Sequence, residues 1–327
     1  MATTGSTTAG RRALVCGATG QDGAYLSRFL LDRGYTVVGT SRDALVARRD
    51  GMASLGIERR VELVSMAPND FRSVLQAIVR TEPDEIYNLA GQTSVGLSFE
   101  QPVEAIESIA LATLNLLEAI RFSGLPIRLY NAGSSECFGD TGGNPATEQT
   151  PFRPRSPYAV AKACAHNLVA SYRDAYGMHA CTGVLFNHES PLRPGRFVTQ
   201  KIVQASLRIS RGSTETLSLG DLSIQRDWGW APEYVEAMWR MLQLDTPSDL
   251  VIATGRTVSL QYFAAAAFGH FGLDWAKHVA RDDALLRPSD VHYGGADPSR
   301  AARLLGWRAT MDVDAVVEAM CTAAAAC

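Results

Sequence analysis

The chain has 327 residues, 46% of them hydrophobic, with a formal net charge of −3. That is enough apolar material for one large domain, or for two unequal ones sharing an interface. The near-neutral mixture of charges argues against a nucleic-acid footprint, and no apolar run reaches the ~18 residues needed to span a bilayer, so neither nucleic acid nor a membrane is an expected partner.

Residues 1–10 lack the apolar core of a signal peptide and are expected to form a disordered tail. The six cysteines (Cys16, Cys137, Cys164, Cys181, Cys321 and Cys327) are scattered, with no Cys-x-x-Cys pair and no His/Cys cluster at metal spacing. No metal site and no disulfide framework is therefore expected, and a reducing cytoplasm fits.

Residues 12–16 (Arg-Ala-Leu-Val-Cys) predict a short apolar strand, and residues 24–33 an amphipathic helix. Between them lies Gly-Ala-Thr-Gly-Gln-Asp-Gly, with glycines at Gly17, Gly20 and Gly23. Glycines at that junction let backbone N–H groups approach a pyrophosphate, while the helix N-terminus adds a positive dipole end. A second strand follows at 35–40, ending in Ser41-Arg42-Asp43, where NAD enzymes usually carry an acid on the ribose hydroxyls. Arg42 there favours a 2′-phosphate and hence NADP. The alternative is that Arg42 is an exposed strand-end residue and Asp43 does the NAD-type job. Strands at 61–65 and 85–89 flank a helix at 71–80, and the second ends in a small-residue turn, Asn88 to Ser94, suited to lie against ribose and nicotinamide. A long helix is expected at 103–122, a buried strand at 127–131, and further strands at 181–187 and 251–253.

The pattern predicts an α/β fold, a doubly wound parallel sheet of Rossmann type with a smaller, interleaved C-terminal lobe. The expected division is a dinucleotide-binding domain over 11–188 plus 230–256, and a substrate-binding lobe over 189–229 and 257–327. Ligands then sit at the carboxyl ends of the strands.

The chemistry concentrates in residues 131–162. A Ser134-Ser135-Glu136 cluster follows the buried strand, and Tyr158 and Lys162 lie four positions apart in a run that should be helical after Pro157. A tyrosine ionises near pH ~10, but a neighbouring ammonium and an oxidised nicotinamide would both favour its phenolate, which could then take a proton from a hydroxyl. Glycine loop, serine, tyrosine and lysine in that order are the pattern of short-chain dehydrogenases, and the chain resembles their extended, nucleotide-sugar-modifying branch.

More narrowly, it resembles the GDP-mannose 4,6-dehydratase family. The matching runs are those at 17–23, 85–89 (Glu-Ile-Tyr-Asn-Leu), 98–102 (Ser-Phe-Glu-Gln-Pro), 154–162 (Pro-Arg-Ser-Pro-Tyr-Ala-Val-Ala-Lys) and 185–191 (Leu-Phe-Asn-His-Glu-Ser-Pro). Others are 197–202 (Phe-Val-Thr-Gln-Lys-Ile), 226–229 (Arg-Asp-Trp-Gly), 251–255 (Val-Ile-Ala-Thr-Gly) and 286–291 (Leu-Arg-Pro-Ser-Asp-Val). The resemblance implies Ser134 in place of a catalytic threonine, Glu136 as acid/base, and Tyr158 with Lys162 at the C4 hydroxyl of the sugar. It puts Gly17, Thr19, Gly20, Gln21, Asp22, Gly23, Arg42, Leu89, Ala90, Gln92, Lys162, His188 and Arg193 at the NADP site. Ser94, Asn187, Lys201, Arg226 and Arg287 would face a GDP-linked sugar, the two arginines as forked donors to its diphosphate. Trp228 and Trp230 are expected to be packing residues. A homo-oligomer, dimer or tetramer, is expected.

The resemblance further implies a lyase reaction. Oxidation at C4 makes the C5 proton acidic, Glu136 removes it and returns it to the departing C6 hydroxyl, and hydride returns to C6 to give GDP-4-keto-6-deoxymannose. A GDP-manno-heptose is the alternative substrate. A 4-epimerase or 4-keto reductase would need only Ser134, Tyr158 and Lys162, and an NADP sensor would need none of the four. Relative to the family, Ala67 replaces an aspartate near the adenine, a paired arginine is reduced to Arg42, and the segment 44–62 is shorter.

Overall fold

The computed structural model describes residues 10–326. The expected tail at 1–10 lies, but for Gly10, outside the described residues, as does Cys327. The first unit runs β1 (Arg12–Cys16), α1 (Gln21–Leu31), β2 (Thr36–Ser41), α2 (Asp50–Ser54), β3 (Glu62–Ser65), α3 (Phe71–Thr81) and β4 (Glu85–Asn88). It continues through α4 (Val95–Glu100), α5 (Pro102–Ala105), α6 (Ala112–Ser123), β5 (Arg128–Ala132), α7 (Pro157–Tyr176) and β6 (Ala180–Leu185). The chain then adds β7 (Asn187–Glu189), α8 (Val198–Ser210), β8 (Leu217–Leu219), β9 (Gln225–Trp230), α9 (Ala231–Gln243), β10 (Leu250–Ile252) and β11 (Thr257–Ser259). It ends with α10 (Leu260–His270), β12 (Val279–Arg281), β13 (Tyr293–Gly294), α11 (Ser299–Leu305) and α12 (Val313–Ala325).

Seven strands form one parallel sheet in the order β10-β6-β5-β4-β1-β2-β3. This is the expected doubly wound arrangement, and the order reverses between β1 and β4, which opens a crevice at their carboxyl ends. Alternation along β1 shows why both faces are covered. Ala13 and Val15 join an apolar cluster with Leu26 and Leu30 of α1 and Met238 of α9, whereas Leu14 and Cys16 join Val74 and Ile78 of α3 and Leu116 of α6 on the opposite face. β9 pairs with β7, β11 and β13 in a second sheet, backed by a separate cluster that includes Trp228, Phe263 and Val316. Trp228 is buried and packs on Phe263 at 5.3 Å, and Trp230 packs against the same cluster, so both are packing residues as expected.

Three elements differ from the sequence reading. Helix α1 begins at Gln21, not residue 24, because the second half of the glycine loop is itself the first turn. The long helix expected at 103–122 contains a π segment, Ile106–Leu111, between α5 and α6. Its turn carries Ser108, whose hydroxyl accepts the Gln92 amide at 3.1 Å, so the wider winding meets the loop after β4. The single strand expected at 181–187 is two strands. At Phe186, whose amide donates to the Ile252 carbonyl at 3.0 Å, the chain leaves the large sheet, and from Asn187 it pairs with β9 instead.

Two glycines fix the entry to α1. Gly17 has φ +82°, and a Cβ there would lie 3.1 Å from the backbone of Leu89 and Ala90. At Gly23 a Cβ would stand 2.2 Å from the Gly17 carbonyl oxygen and 2.7 Å from the Ala18 Cα, both rigid backbone atoms. Gly23→Ala is therefore expected to lower unfolding stability by about 1–3 kcal/mol, the usual cost of overpacking. Chemical denaturation checks this, and an unchanged midpoint would show that the loop can relax away from the helix.

Candidate active site

Strand β5 delivers the catalytic candidates to the crevice. Just past Ala132 the chain turns into a 3₁₀ segment, Ser135–Phe138, whose N-cap is Ser134, with its hydroxyl accepting the Glu136 amide at 3.3 Å. Helix α7 begins at Pro157, as the sequence predicts, because the Ser156 hydroxyl caps it by accepting the Ala159 amide at 3.1 Å and proline at the first position needs no acceptor. Tyr158 and Lys162 share one buried face, with the ammonium 5.9 Å from the phenol ring centroid. Lys162 Nζ donates to the Ala132 carbonyl at 2.7 Å, tying α7 to the end of β5.

Burial is the largest influence on both groups of this pair. Burial pushes the phenol above its usual range, with the Ser134 hydroxyl acting against it. Burial also pulls the ammonium down to about 8, opposed by the charges of Cys137 and Asp22. Desolvation dominates at both groups because both lie inside the protein.

Glu136 lies on the same side, with its Oε1 4.0 Å from Nη2 of Arg226 on β9. Arg226 is 5% exposed, and burial works against its charge while Glu136 and Asp290 support it. Asp290 Oδ1 lies 3.6 Å from Arg226 and 3.6 Å from Arg287, so the two guanidinium groups converge on one carboxylate oxygen. Asn187 on β7 pairs with Trp228 of β9 and is half-buried, whereas Lys201 is exposed on α8. The Ser94 hydroxyl caps α4 by accepting the Leu97 amide at 3.2 Å.

The glycine loop fits a dinucleotide. The backbone amides of Gln21, Asp22 and Gly23 open α1 with no side-chain cap, and a Cβ on Gly20 would meet only the Gly17 carbonyl at 3.4 Å. Thr19 is half-buried beside them, and Leu89 and Ala90 close the far wall against Gly17. Gln92 donates to the Ser94 carbonyl at 2.7 Å, while its buried Oε1 has no hydrogen-bond partner among the described residues, as suits an atom that accepts from a bound group. At the end of β2 the Arg42 side chain is 82% exposed, with Glu104 at 3.8 Å. The Asp43 carboxylate instead accepts the Leu45 amide at 2.9 Å.

Two expected cofactor contacts are engaged within the protein. His188 uses both ring nitrogens, on the Phe186 carbonyl at 2.7 Å and on Asp22 at 2.9 Å. Arg193 lies 3.3 Å from the buried Glu189 and stacks on Phe197, 3.7 Å from its ring centroid. Residues absent from the sequence reading also border the site. Asp140, Arg153 and Arg155 line a cavity of about 340 Å³ beside the catalytic turn. Asp140 accepts the His292 amide at 3.0 Å, joining that turn to the segment carrying Asp290. Asp290 was within reach from sequence, since it lies three positions after Arg287 in a matching run.

Tyrosine absorbance titrated in the cofactor-free protein and in Tyr158→Phe should give a difference that shows no ionisation below pH ~10. A Tyr158 signal titrating below that would mean that Lys162 overrides burial.

The sequence profile of the family described as GDP-mannose 4,6 dehydratase matches residues 14–320. The GDP-mannose 4,6-dehydratase of Sinorhizobium fredii (strain HH103) is 44% identical, the match covering 90% of this chain and 91% of that protein. GDP-mannose 4,6 dehydratase 1 of Arabidopsis thaliana is 42% identical, with 94% and 88% covered. Among solved structures, the DesIV double mutant (dTDP-glucose 4,6-dehydratase) from Streptomyces venezuelae, with NAD and DAU bound, shares the fold with a TM-score of 0.85 at 20% identity, over 95% of this chain and 96% of that one. Matched along nearly its whole length, with the Ser134, Glu136, Tyr158 and Lys162 cluster assembled at the end of β5, the chain belongs to the GDP-mannose 4,6-dehydratase family.

Proposed function

We propose that this chain converts GDP-mannose to GDP-4-keto-6-deoxymannose, and that it does so with NADP. The observation that carries the reading is the position of Glu136, which shares one turn with Ser134 and reaches toward Arg226 at 4.0 Å. An epimerase on this scaffold has no step for such a carboxylate.

The geometry supports a role for each residue. Tyr158 takes the proton of the C4 hydroxyl, with Ser134 beside it and with Lys162 fixing the face of α7 that presents the phenol. Glu136 removes the C5 proton and passes it to the C6 oxygen, which leaves as water. NADP, when bound, would accept the hydride from C4 and give it back at C6, and C5 would then take up a proton, which balances the one that Tyr158 took from the C4 hydroxyl. Arg226 and Arg287 hold the diphosphate, as their convergence on the single anionic oxygen of Asp290 supports. Ser94, Asn187 and Lys201 complete the substrate wall. Gly17, Thr19, Gly20, Gln21, Asp22, Gly23, Leu89, Ala90 and Gln92 cradle the dinucleotide. The exposed, nearly unpaired Arg42 favours a 2′-phosphate, an assignment strengthened because Asp43 is spent on its own loop.

In this reading residues 11–188 with 230–256 form the cofactor domain, and 189–229 with 257–327 the substrate lobe. The protein works in the cytoplasm as a homo-oligomer. A self-association face is supported by Val103, Ile106 and Leu111 on the α5–α6 stretch and Val160 on α7, all exposed apolar side chains. Among the described residues no helix is long and apolar enough to cross a membrane.

Glu136→Gln keeps the shape of the side chain but cannot accept a proton. With GDP-mannose in heavy water, the variant should still oxidise C4, while deuterium exchange at C5 and loss of water fall by about 10²–10⁴-fold. Parent-like exchange and dehydration would assign the base to another residue and remove the distinction from an epimerase.

A further inference from the structure

Two runs far apart in sequence interlock beneath the glycine loop. Gln21 Nε2 donates to the His188 carbonyl at 3.2 Å, and Gln21 Oε1 accepts the Ser190 hydroxyl at 2.9 Å. Beside them the His188 ring is 8% exposed, with Nδ1 2.7 Å from the Phe186 carbonyl and Nε2 2.9 Å from Asp22 Oδ2. A carbonyl oxygen offers only lone pairs, and so does a carboxylate. A neutral imidazole has one N–H and can satisfy one of the two, so both contacts are hydrogen bonds only when the ring carries two protons. The second oxygen of Asp22 accepts from Gln21 Nε2 at 3.0 Å, as a carboxylate should. From α9 the Tyr234 ring stacks on the imidazole at 4.6 Å and 24°, the face-on placement that favours a cation.

We propose that His188 is carried as an imidazolium through neutral pH, and that this charged ring is a positioning residue clasping the first turn of α1 to the strand that opens the second lobe. The inference holds whichever nucleotide or sugar binds. It explains how an aspartate can occupy a helix N-terminus built for an anion. Unpaired, the Asp22 carboxylate would repel a pyrophosphate, and the imidazolium beneath it cancels that charge.

The other charged groups nearby are accounted for. Lys162 from α7 faces Asp22 and acts in the same sense, Arg193 opposes the imidazolium, and the Glu189 carboxylate is taken by Thr199 and Arg193. For His188 burial works against the charge, but Asp22 and the Phe186 carbonyl outweigh it and the ring is held above its ordinary value. For Asp22 burial acts upward and is outweighed by His188, with Gln21 and Arg193 acting in the same sense, so that the carboxyl is held at about 2. The sign of the linkage follows. The His188 share of stability is complete below its unfolded value and is lost as pH rises through the raised folded value. The Asp22 share is complete above its unfolded value and is lost toward about 2.

The test is imidazole ¹⁵N chemical shifts in protein labelled at its six histidines, with the His188 signals assigned by their loss in His188→Gln. If that variant does not fold, Tyr234→Phe, which alters the stacked ring, supplies the assignment. At pH 7.5 both His188 nitrogens should resonate in the protonated range. In Asp22→Asn, whose amide can donate to Nε2, one nitrogen should move to the unprotonated range at the same pH. The gap in thermal midpoint between parent and Asp22→Asn should be widest at about pH 4 to 6.5 and should close as pH rises. A neutral His188 in the parent at pH 7.5, identical shifts in parent and Asp22→Asn, or a gap independent of pH would each overturn the proposal.

Discussion

The short hydrogen bond from Lys162 to the Ala132 carbonyl is the contact on which the rest of the site depends. It joins the end of β5, which carries Ser134 and Glu136, to the α7 face that carries Tyr158. An ammonium buried this deeply needs an acceptor, because an unpaired one would cost several kcal/mol (roughly 3–5 for a broken buried pair). The requirement therefore fixes how far α7 can rotate or slide. It also divides the work within the tyrosine–lysine pair. Lys162 holds the helix against β5, while burial keeps the Tyr158 phenol above its usual range.

The second lobe is held in register with that centre by polar contacts as well as by shared apolar packing, in which Ala301, Leu305 and Trp307 join the cluster that contains Ala13 and Val15 of β1. Asp227, fully buried, accepts the backbone amides of Thr254 at 3.0 Å and Gly255 at 2.7 Å, so β9 is tied to the chain just after β10. Asp140 ties the catalytic turn to His292. Gln21 and Asp22 tie the cofactor loop to 188–190. Each contact meets the second lobe close to a residue expected to touch a ligand. The glycine loop, the turn carrying Ser134 and Glu136, and the two arginines Arg226 and Arg287 are thus parts of one assembly, although they come from four separate stretches of chain.

Much of this was legible in the sequence because its causes are local. Pro157 after Ser156 starts a helix, and once the helix exists Tyr158 and Lys162 must share a face. Alternation of apolar residues in a strand buried on both sides reads as an unbroken apolar run, which is how β1 was placed. Gly17 and Gly23 mark the loop because backbone approaches within 3.1 Å and 2.2 Å of where their Cβ would stand. What escaped depends on contacts at long range. The π segment answers to Gln92 and Gly91 on another loop, and the break at Phe186 to pairing with β9. Likewise Asp22 and His188 are 166 positions apart, and only the folded chain shows that each is the other's partner. Family resemblance assigned both to the cofactor, whereas the geometry makes them first a pair.

The central claim is that this one cluster runs an oxidation and a reduction within a single turnover, with Glu136 eliminating water in between. GDP-mannose carrying deuterium at C4 tests it most directly. The account predicts a product lighter than the substrate by one water, with the deuterium recovered at C6. A product of unchanged mass, or deuterium washed out to solvent or to free cofactor, would contradict it.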